Sequence, residues 1–205
     1  MNAPRCRFCD HPLTHTFCDL GMSPLSNAYV RPERARAMEP FWPLHARVCE
    51  RCWLVQLEAF ESPQAIFGDY AYFSSYSASW LEHARRYCEA MRARFGLGAH
   101  SRVVELASND GYLLQYFRDA GVQVLGIEPA ANVAQAAIAR GVPTRVEFFG
   151  AAIGRTLAAE GCSADLVVAN NVFAHVPDIN DFAAGFAPLL RPDGVLTLEF
   201  PHLLE

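Results

Sequence analysis

Two pairs of closely spaced cysteines carry the strongest chemical signal in the sequence. Cys6 and Cys9 form one CxxC motif, and Cys49 and Cys52 form a second. Two such turns can place four thiolates around a zinc ion in a closed tetrahedral site, which is structural rather than catalytic. The alternatives are four unrelated thiols or two disulfides. Because residues 1–60 are rich in proline and aromatic side chains and lack a long periodic helix, zinc is favoured as their source of folding energy.

Other thiols and imidazoles in the chain are interpreted as bystanders. Cys88 falls on the apolar face of a predicted helix and Cys162 lies beside a predicted strand, positions that are typical of core residues. The substitute metal ligands near the CxxC motifs are His11, His15, Cys18 and His45. Clustered cysteines without a secretory signal pattern indicate a reducing compartment, so a cytoplasmic location is expected.

A second candidate site begins with the stretch VVELASNDGYLL, residues 103–114, which predicts a strand, a tight turn and the start of a helix. The turn lacks the glycines of a dinucleotide fingerprint, so pyrophosphate binding is disfavoured. Instead, Glu105 lies within the strand, and Ser108, Asn109, Asp110 and Gly111 shape the bend. Capping of the helix by Asn109 or Asp110 is the simpler interpretation of these polar side chains.

Glu128 closes the next predicted strand and is followed by Pro129, which ends that strand. A carboxylate at this place can accept both hydroxyls of a ribose. Asn170 and Asn171 end a further strand, and small ligands of such sheets bind outside the carboxyl ends of the strands. This edge of the sheet therefore offers an acid for a ribose and an amide-rich turn for an amino-acid tail. These groups suit an adenosine that carries an amino acid and no phosphate, and S-adenosylmethionine is such a molecule.

The elements that position these residues alternate strictly from Ser101 onward. Strands are predicted at 102–107, 122–129, 142–149, 164–171 and 194–201, separated by helices. This alternation predicts an α/β fold with a doubly wound parallel sheet. We therefore expect a zinc-binding module at 1–60, an aromatic linker and a helix (Ala78–Phe95) within 61–100, and a cofactor-binding domain at 101–205 that is incomplete at its carboxyl end.

Composition excludes several other classes of protein. The 205 residues are 52% hydrophobic and 19% charged, which is incompatible with a disordered chain or a coiled coil. The apolar runs, such as Leu166–Ala169, are far shorter than a membrane span. With 17 basic and 22 acidic residues the net charge is −5, so neither nucleic acid nor a membrane is expected as a partner.

Six segments together resemble the zinc-containing sugar C-methyltransferases. They are the double CxxC, YFSSYSAS, ELASNDG, GIEP, ANNVFAHVPDINDF and LEFPHLLE, and they occur in the family's order. The resemblance implies a class I, S-adenosylmethionine-dependent fold and methyl transfer to C3 of a nucleotide-linked 4-keto deoxyhexose. Family members are about twice as long, so the chain resembles their amino-terminal half. The resemblance also implies that the full-length enzyme is a monomer.

The resemblance further implies a role for each matching residue. Zinc ligands are implied at Cys6, Cys9, Cys49 and Cys52. Cofactor contacts are implied around the methionine portion at Glu105, Ser108, Asn109 and Gly111, at the ribose by Glu128, and beside the sulfonium by Asn170 and Asn171. Cofactor contacts are also expected at Asp110 and Pro129, which adjoin these positions.

Several aromatic and histidine side chains remain open between a functional and a structural interpretation. Phe148 and Phe149 either flank the adenine or belong to the core. Tyr70, Tyr72 and Tyr76 either close over the cofactor and the sugar or form a packed aromatic loop; for Tyr76 the functional interpretation is favoured. His175 follows the fourth strand and is the candidate catalytic residue, although an exposed loop histidine is usually incidental. His202 is left unassigned.

We expect the general base to lie after the PHLLE match, so this chain should bind zinc and cofactor but turn over little alone. Two alternatives remain. One is a methyltransferase acting on oxygen or nitrogen of a small molecule. The other is a non-catalytic zinc- and cofactor-binding module, against which the net charge and Glu128 argue. A nicotinamide-dependent oxidoreductase is poorly supported, because no G-x-G-x-x-G follows any strand.

Overall fold

The structure is a computed structural model that describes residues 4–68, 70–201 and 203. The chain divides into two units, one formed by Met1–Ile66 with Pro177–Asn180 and the other by Phe67–Val176 with Asp181–Glu205. Within the described ranges, no helix is both long enough and apolar enough to cross a membrane. His202, left unassigned from the sequence, lies outside the described residues.

The first unit is built on a small antiparallel sheet. Its strands pair in the order β1-β2-β3 and span His15–Ser23, Trp42–Val48 and Val55–Gln56. Most side chains of β1 are exposed, and the buried cluster consists of little more than Leu13 and cysteines. A unit with so small an apolar core needs another source of stability, as the sequence predicted.

Two short helical segments and one long helix follow the small sheet along the chain. The short helix α1 spans Pro63–Phe67, a 3-10 turn covers Ser74–Tyr76, and α2 spans Ala78–Phe95. The Ser77 side chain accepts from the Trp80 N–H at 3.3 Å, which caps the start of α2. Gly96 ends this helix with a φ of 63°, a left-handed conformation that glycine adopts without a steric penalty.

A parallel five-stranded sheet forms the centre of the second unit, with the order β6-β5-β4-β7-β8. In chain order, strands β4 to β8 span Arg102–Leu106, Gln123–Ile127, Thr144–Arg145, Ala164–Asn170 and Leu190–Glu199. The intervening helices α3 to α7 span Leu114–Asp119, Ala131–Ala139, Ala151–Ala159, Ile179–Ala184 and Phe186–Leu189. The direction of strand succession reverses beside β4, which creates the crevice where such sheets bind ligands.

Alternating residues of the central strands face two separate apolar clusters. Val103 packs with residues of α2, α3 and α4, whereas Val104 packs with residues of α5, α6 and α7. Helices therefore cover both faces of the sheet, and the predicted fold class is confirmed.

The structure differs from the sequence prediction at several boundaries, and the last strand, for example, begins at Leu190. The third strand is reduced to Thr144–Arg145, since Phe149 turns away to stack on Phe186 at 6.0 Å. The last predicted helix is interrupted at Gly185, where an added Cβ would lie 2.7 Å from the Gly150 carbonyl oxygen. Helix α3 begins at Leu114 without a side-chain cap, so capping by Asn109 or Asp110 is wrong.

Candidate functional site

The two CxxC motifs form nearly equivalent turns in the first unit. The Asp10 N–H donates to the Cys6 carbonyl and the Trp53 N–H to the Cys49 carbonyl, both at 2.9 Å. Asp10 and Trp53 directly follow the second cysteine of each motif, and both have positive φ values, 59° and 65°. Non-glycine residues adopt this conformation at some cost, which a tightly constrained turn can impose.

The four sulfur atoms lie within 4.8 Å of one another. The Sγ atoms of Cys6 and Cys52 are 3.6 Å apart, as are those of Cys9 and Cys49. Tetrahedral zinc with bonds of about 2.3 Å holds its sulfur ligands about 3.8 Å apart, whereas a disulfide requires about 2.0 Å. The arrangement therefore fits a structural zinc ion, and it does not fit two disulfides.

Neighbouring polar groups stabilise the Cys6 thiolate of this cluster. Burial raises the pKa of the Cys6 thiol, but hydrogen bonds from the Cys9 N–H and the Gln56 amide outweigh burial and lower the pKa below its usual value. Gln56 is a contact that the sequence analysis missed, because nothing distinguishes it from other strand residues. His11 and His15 instead hydrogen-bond to Glu50, at 2.9 and 2.8 Å.

The turn after β4 has an unusual backbone that fixes its polar side chains. Ala107, Asn109 and Gly111 all have positive φ, at 54°, 50° and 77°. A Cβ on Gly111 would lie 3.0–3.3 Å from Val142 and Ala137. Glycine at this position therefore allows both the positive φ and the close packing against these two side chains. A Cβ on Gly126 of β5 would lie 2.3 Å from the Ser108 hydroxyl, so that glycine makes room for the turn.

Glu128 lies against this turn, as the sequence predicted for the carboxyl edge. Its Oε2 accepts from the Asn109 N–H and its Oε1 from the Ala130 N–H, both at 2.9 Å. The side chain is only 5% exposed, and burial raises its pKa even though these two N–H donors oppose the shift. The carboxylate oxygens retain further lone pairs that can accept hydroxyl protons.

Three polar atoms of this region are buried without a hydrogen-bond partner among the described residues. They are Glu105 Oε2, Ser108 Oγ and Asp110 Oδ1. Buried polar atoms are nearly always paired, so a concentration of unpaired ones around one turn fits a polar ligand or ordered water there. Two carboxylate oxygens and one hydroxyl oxygen are therefore left for such a partner around this turn.

The strand ends bring further polar groups to the same edge of the sheet. Asn170 is buried, and the side chains of Asn170 and Glu105 both lie near the Tyr112 hydroxyl. Asn171 is exposed, and its backbone N–H donates to the Glu199 carbonyl at 2.6 Å. The structure therefore joins the ends of β4, β5, β7 and β8 in one polar cluster.

A histidine–carboxylate pair at this edge was not found from the sequence. His83 Nε2 lies 2.9 Å from Glu199 Oε2, although 116 residues separate the two side chains in the chain. The imidazole of His83 stacks on Trp80 at 4.9 Å between ring centroids. A carboxylate in this arrangement fixes the orientation and tautomer of the imidazole, leaving the other ring nitrogen to interact with a ligand.

The aromatic and histidine side chains that the sequence suggested for the site lie in different environments. Phe149 packs among Phe182 and Phe186 in the core, whereas Phe148 is 39% exposed. Tyr76 is 84% exposed at the end of the 3-10 turn. His175 is exposed at the end of another 3-10 turn, which places it in the loop after β7.

Comparison with known families agrees with both parts of this description. The profile of a zinc binding domain family matches residues 6–67, and that of a methyltransferase domain matches residues 80–203. The chain therefore belongs to the methyltransferase domain family, and its amino-terminal part matches a zinc binding domain. Its second domain is of the class I, S-adenosylmethionine-dependent type, which confirms the enzyme class and the two cofactors expected from the sequence.

Three individual proteins are similar to parts of this chain. The C-methyltransferase NovU of Streptomyces niveus is 38% identical over 200 residues, covering 98% of this chain and 48% of that protein. An uncharacterized methyltransferase of Mycobacterium avium is 30% identical over 126 residues, covering 61% of this chain and 49% of that protein. The crystal structure of Streptomyces venezuelae DesVI has a TM-score of 0.46 and 17% identity, covering 58% of this chain and 49% of that one. The chain spans about half the length of the curated relatives it matches.

Proposed function

We propose that this chain supplies the zinc module and the cofactor domain of a C-methyltransferase acting on a nucleotide-linked 4-keto deoxysugar. The observation that carries the proposal is the match to a C-methyltransferase over 98% of the chain. The geometry supports it, because Glu128 and the turn after β4 form one polar site at the carboxyl edge of the sheet. The substrate is a small molecule, and a cytoplasmic place of action is part of the proposal.

The site residues would bind the methyl donor in a fixed orientation. Glu128 would accept the ribose hydroxyls, and the turn with Glu105, Ser108 and Asn109 would hold the amino-acid portion. Asn170 and Asn171 would lie near the reacting centre. Phe148 is exposed enough to contact the adenine, whereas the core position of Phe149 favours a structural role. When bound, S-adenosylmethionine supplies an electrophilic methyl group.

Transfer to carbon requires a carbon nucleophile on the sugar. The C3 proton is acidified by the adjacent C4 carbonyl, a general base removes it, and the resulting enolate carbon would bond to the methyl group as the sulfur–methyl bond breaks and S-adenosylhomocysteine leaves. The protein must hold the two carbons close and in line, and it must donate hydrogen bonds to the enolate oxygen. His175 is exposed in the loop after β7, where its imidazole can donate to that oxygen or to the sugar.

The binding part of the proposal is tested by calorimetry with S-adenosylhomocysteine. We expect Glu128→Gln to weaken binding by about 10- to 100-fold, because a hydrogen bond to a charged group contributes about 1.5–3 kcal/mol. Glu160→Gln is the matched control, since Glu160 follows α5 and forms a surface ion pair with Arg145 at 2.6 Å. Unfolding temperatures of both variants separate lost binding from lost folding. Absence of binding, even in the full-length protein, would favour a non-catalytic module whose α/β domain is degenerate and recruits a partner or nucleic acid.

The reaction itself is tested by supplying a nucleotide-linked 4-keto deoxysugar and locating the new methyl group by NMR. A methyl group on C3 supports the proposal, and one on oxygen or nitrogen supports the alternative small-molecule methyltransferase. We expect residues 1–205 alone to give little or no product, because the base is expected in the segment that follows the PHLLE match in longer family members. Rapid turnover by residues 1–205 would place the base within this chain.

A further inference from the structure

The segment at residues 70–76, here called the aromatic strap, is held by the side chains of another part of the second unit. It contains Tyr70, Tyr72 and Tyr76, the three tyrosines considered from the sequence for a covering role. Its backbone is not paired in a sheet, yet several of its polar groups have defined partners. Three of the side chains that provide them are Asn132, Asn109 and Asp110.

Asn132 binds both backbone groups of a single strap residue. Its Nδ2 donates to the Tyr70 carbonyl at 2.8 Å, and its Oδ1 accepts from the Tyr70 N–H at 3.2 Å. The side-chain amide therefore takes the place of a neighbouring strand, which would offer one donor and one acceptor in the same way. Asn132 is exposed near the start of α4, and nothing in the sequence distinguished it.

Asn109 repeats this arrangement further along the strap. Its Nδ2 donates to the Tyr72 carbonyl at 3.1 Å, and its Oδ1 accepts from the Ser74 N–H at 2.8 Å. The backbone N–H of the same residue donates to Glu128. One residue of the turn therefore contacts the strap with its side chain and the proposed ribose acid with its backbone.

A third contact involves a buried charge. The Ser75 hydroxyl donates to Asp110 Oδ2, which also accepts from Arg140 Nη1 at 2.8 Å. The Asp110 side chain is fully buried, so its ion pair with Arg140 fixes the acceptor in place. The strap is thus held at Tyr70, at Tyr72–Ser74 and at Ser75.

We propose that Asn132 is a positioning residue of the cofactor site, acting with Asn109 as a pair of amide clamps that hold the strap beside the turn after β4. The proposal rests on the proposed function, because the turn and Glu128 are the groups assigned to the cofactor. The clamps fix the backbone that carries the half-exposed Tyr72 and the exposed Tyr76, which leaves both rings available to cover a ligand. Asn109 and Asp110 then act through the strap as well as through the turn.

The test compares Asn132→Asp with Gln135→Glu in the whole protein. The first change replaces the Nδ2 donor by a carboxylate oxygen facing the Tyr70 carbonyl, so one hydrogen bond becomes a repulsion. It also adds an acid to the first turn of α4, which favours the helix, so the unfolding temperature should not fall. Gln135→Glu adds the same charge to the exposed face of the same helix without touching the strap.

Two readouts decide the proposal, namely amide hydrogen exchange across residues 70–76 and calorimetry with S-adenosylhomocysteine. For Asn132→Asp we expect exchange in the strap to accelerate and the affinity to fall about tenfold, which corresponds to one hydrogen bond. Gln135→Glu should match the unaltered protein in both measurements. Asn132→Ala, which removes the donor without adding charge, should give the same direction of change.

The outcomes separate this proposal from the proposed function. If the unaltered protein binds the ligand and Asn132→Asp binds it equally tightly, the clamp has no role in the site and the proposal fails alone. If strap exchange is unchanged in Asn132→Asp, the clamp does not hold the strap, and the proposal also fails. If the unaltered protein does not bind the ligand, the proposed function fails and the positioning role fails with it.

Discussion

At the scale of single residues, the site depends on side chains that serve two partners at once. Asn109 binds the strap through its amide and Glu128 through its backbone N–H. Asp110 binds both Ser75 and Arg140. A change at either position therefore alters the turn and the strap together, and single-residue effects on binding should not be additive with effects in the strap.

Glu105 gives a prediction about pH at this scale. Burial raises its pKa well above 4.5, with the nearby Glu128 and Asp110 adding to the shift and a hydrogen bond from Tyr112 opposing it. For an acid whose pKa is raised by folding, the stabilising contribution is fully present below the unfolded pKa and is lost as pH rises through the folded value. We therefore expect the contribution of Glu105 to the free energy of unfolding to decrease as the pH rises above about 4.5.

Glu105→Gln tests this because it removes the titration but keeps the size of the side chain. Its unfolding temperature should vary less with pH than that of the unaltered protein, and at neutral pH it should be the more stable of the two. Glu39→Gln, at an exposed position, is the control. Parallel curves for the unaltered protein and Glu105→Gln across pH 4–8 would contradict the prediction.

At the scale of elements, tight approaches of backbone determine how the helices pack on the sheet. A Cβ on Gly154 in α5 would lie 2.3 Å from the Gly185 carbonyl oxygen, just before α7. Rigid backbone cannot move aside as a flexible side chain does. The two helices therefore pack as they do only because position 154 lacks a side chain.

Gly154→Ala should consequently destabilise the second unit by about 1–3 kcal/mol through overpacking, measured by denaturant unfolding. The matched control is Gly98→Ala, because a Cβ on Gly98 would meet nothing within 4 Å. That control should change stability by no more than about 0.5 kcal/mol. Equal stabilities of the two variants would show that α5 and α7 can separate without cost.

The strands and helices were largely predictable, whereas some of their ends were not. The periodicity of α2 and the alternation from Ser101 onward follow from local apolar spacing, which the sequence displays directly. The shortening of β6 depends on Phe149 turning into the core with Phe186, a contact between distant parts of the chain. No local sequence pattern indicates such a contact, so the predicted third strand was too long.

At the scale of the whole molecule, the two units obtain their stability from different sources. The first has a small buried cluster around the cysteines, whereas the second has two apolar clusters on the faces of its sheet. Structural zinc sites contribute folding free energy directly, so the first unit should depend on its metal. The second unit buries enough apolar surface to retain cooperative unfolding without it.

Chelation of the metal should therefore remove hydrogen-exchange protection from β1 and β2 while leaving the thermal transition of the second unit in place. Cys49→Ser should have the same effect and reduce bound zinc from about one equivalent to near zero, measured by elemental analysis. Cys18→Ser, on β1 but outside the thiol cluster, is the control that keeps its zinc. A full equivalent of zinc in Cys49→Ser would contradict the four-thiolate site.

The sequence by itself determined the four-cysteine cluster, the alternating architecture and the acid after β5. Each of these is encoded by residue types at short, regular spacing. Only the tertiary structure decided that Asn132 and Asn109 clamp the strap, that His83 meets Glu199, and that Asp110 pairs with Arg140 instead of capping a helix. Those contacts join residues that are distant in the chain. The partner of a polar side chain depends on which residues the fold brings near it, and the local sequence does not specify this.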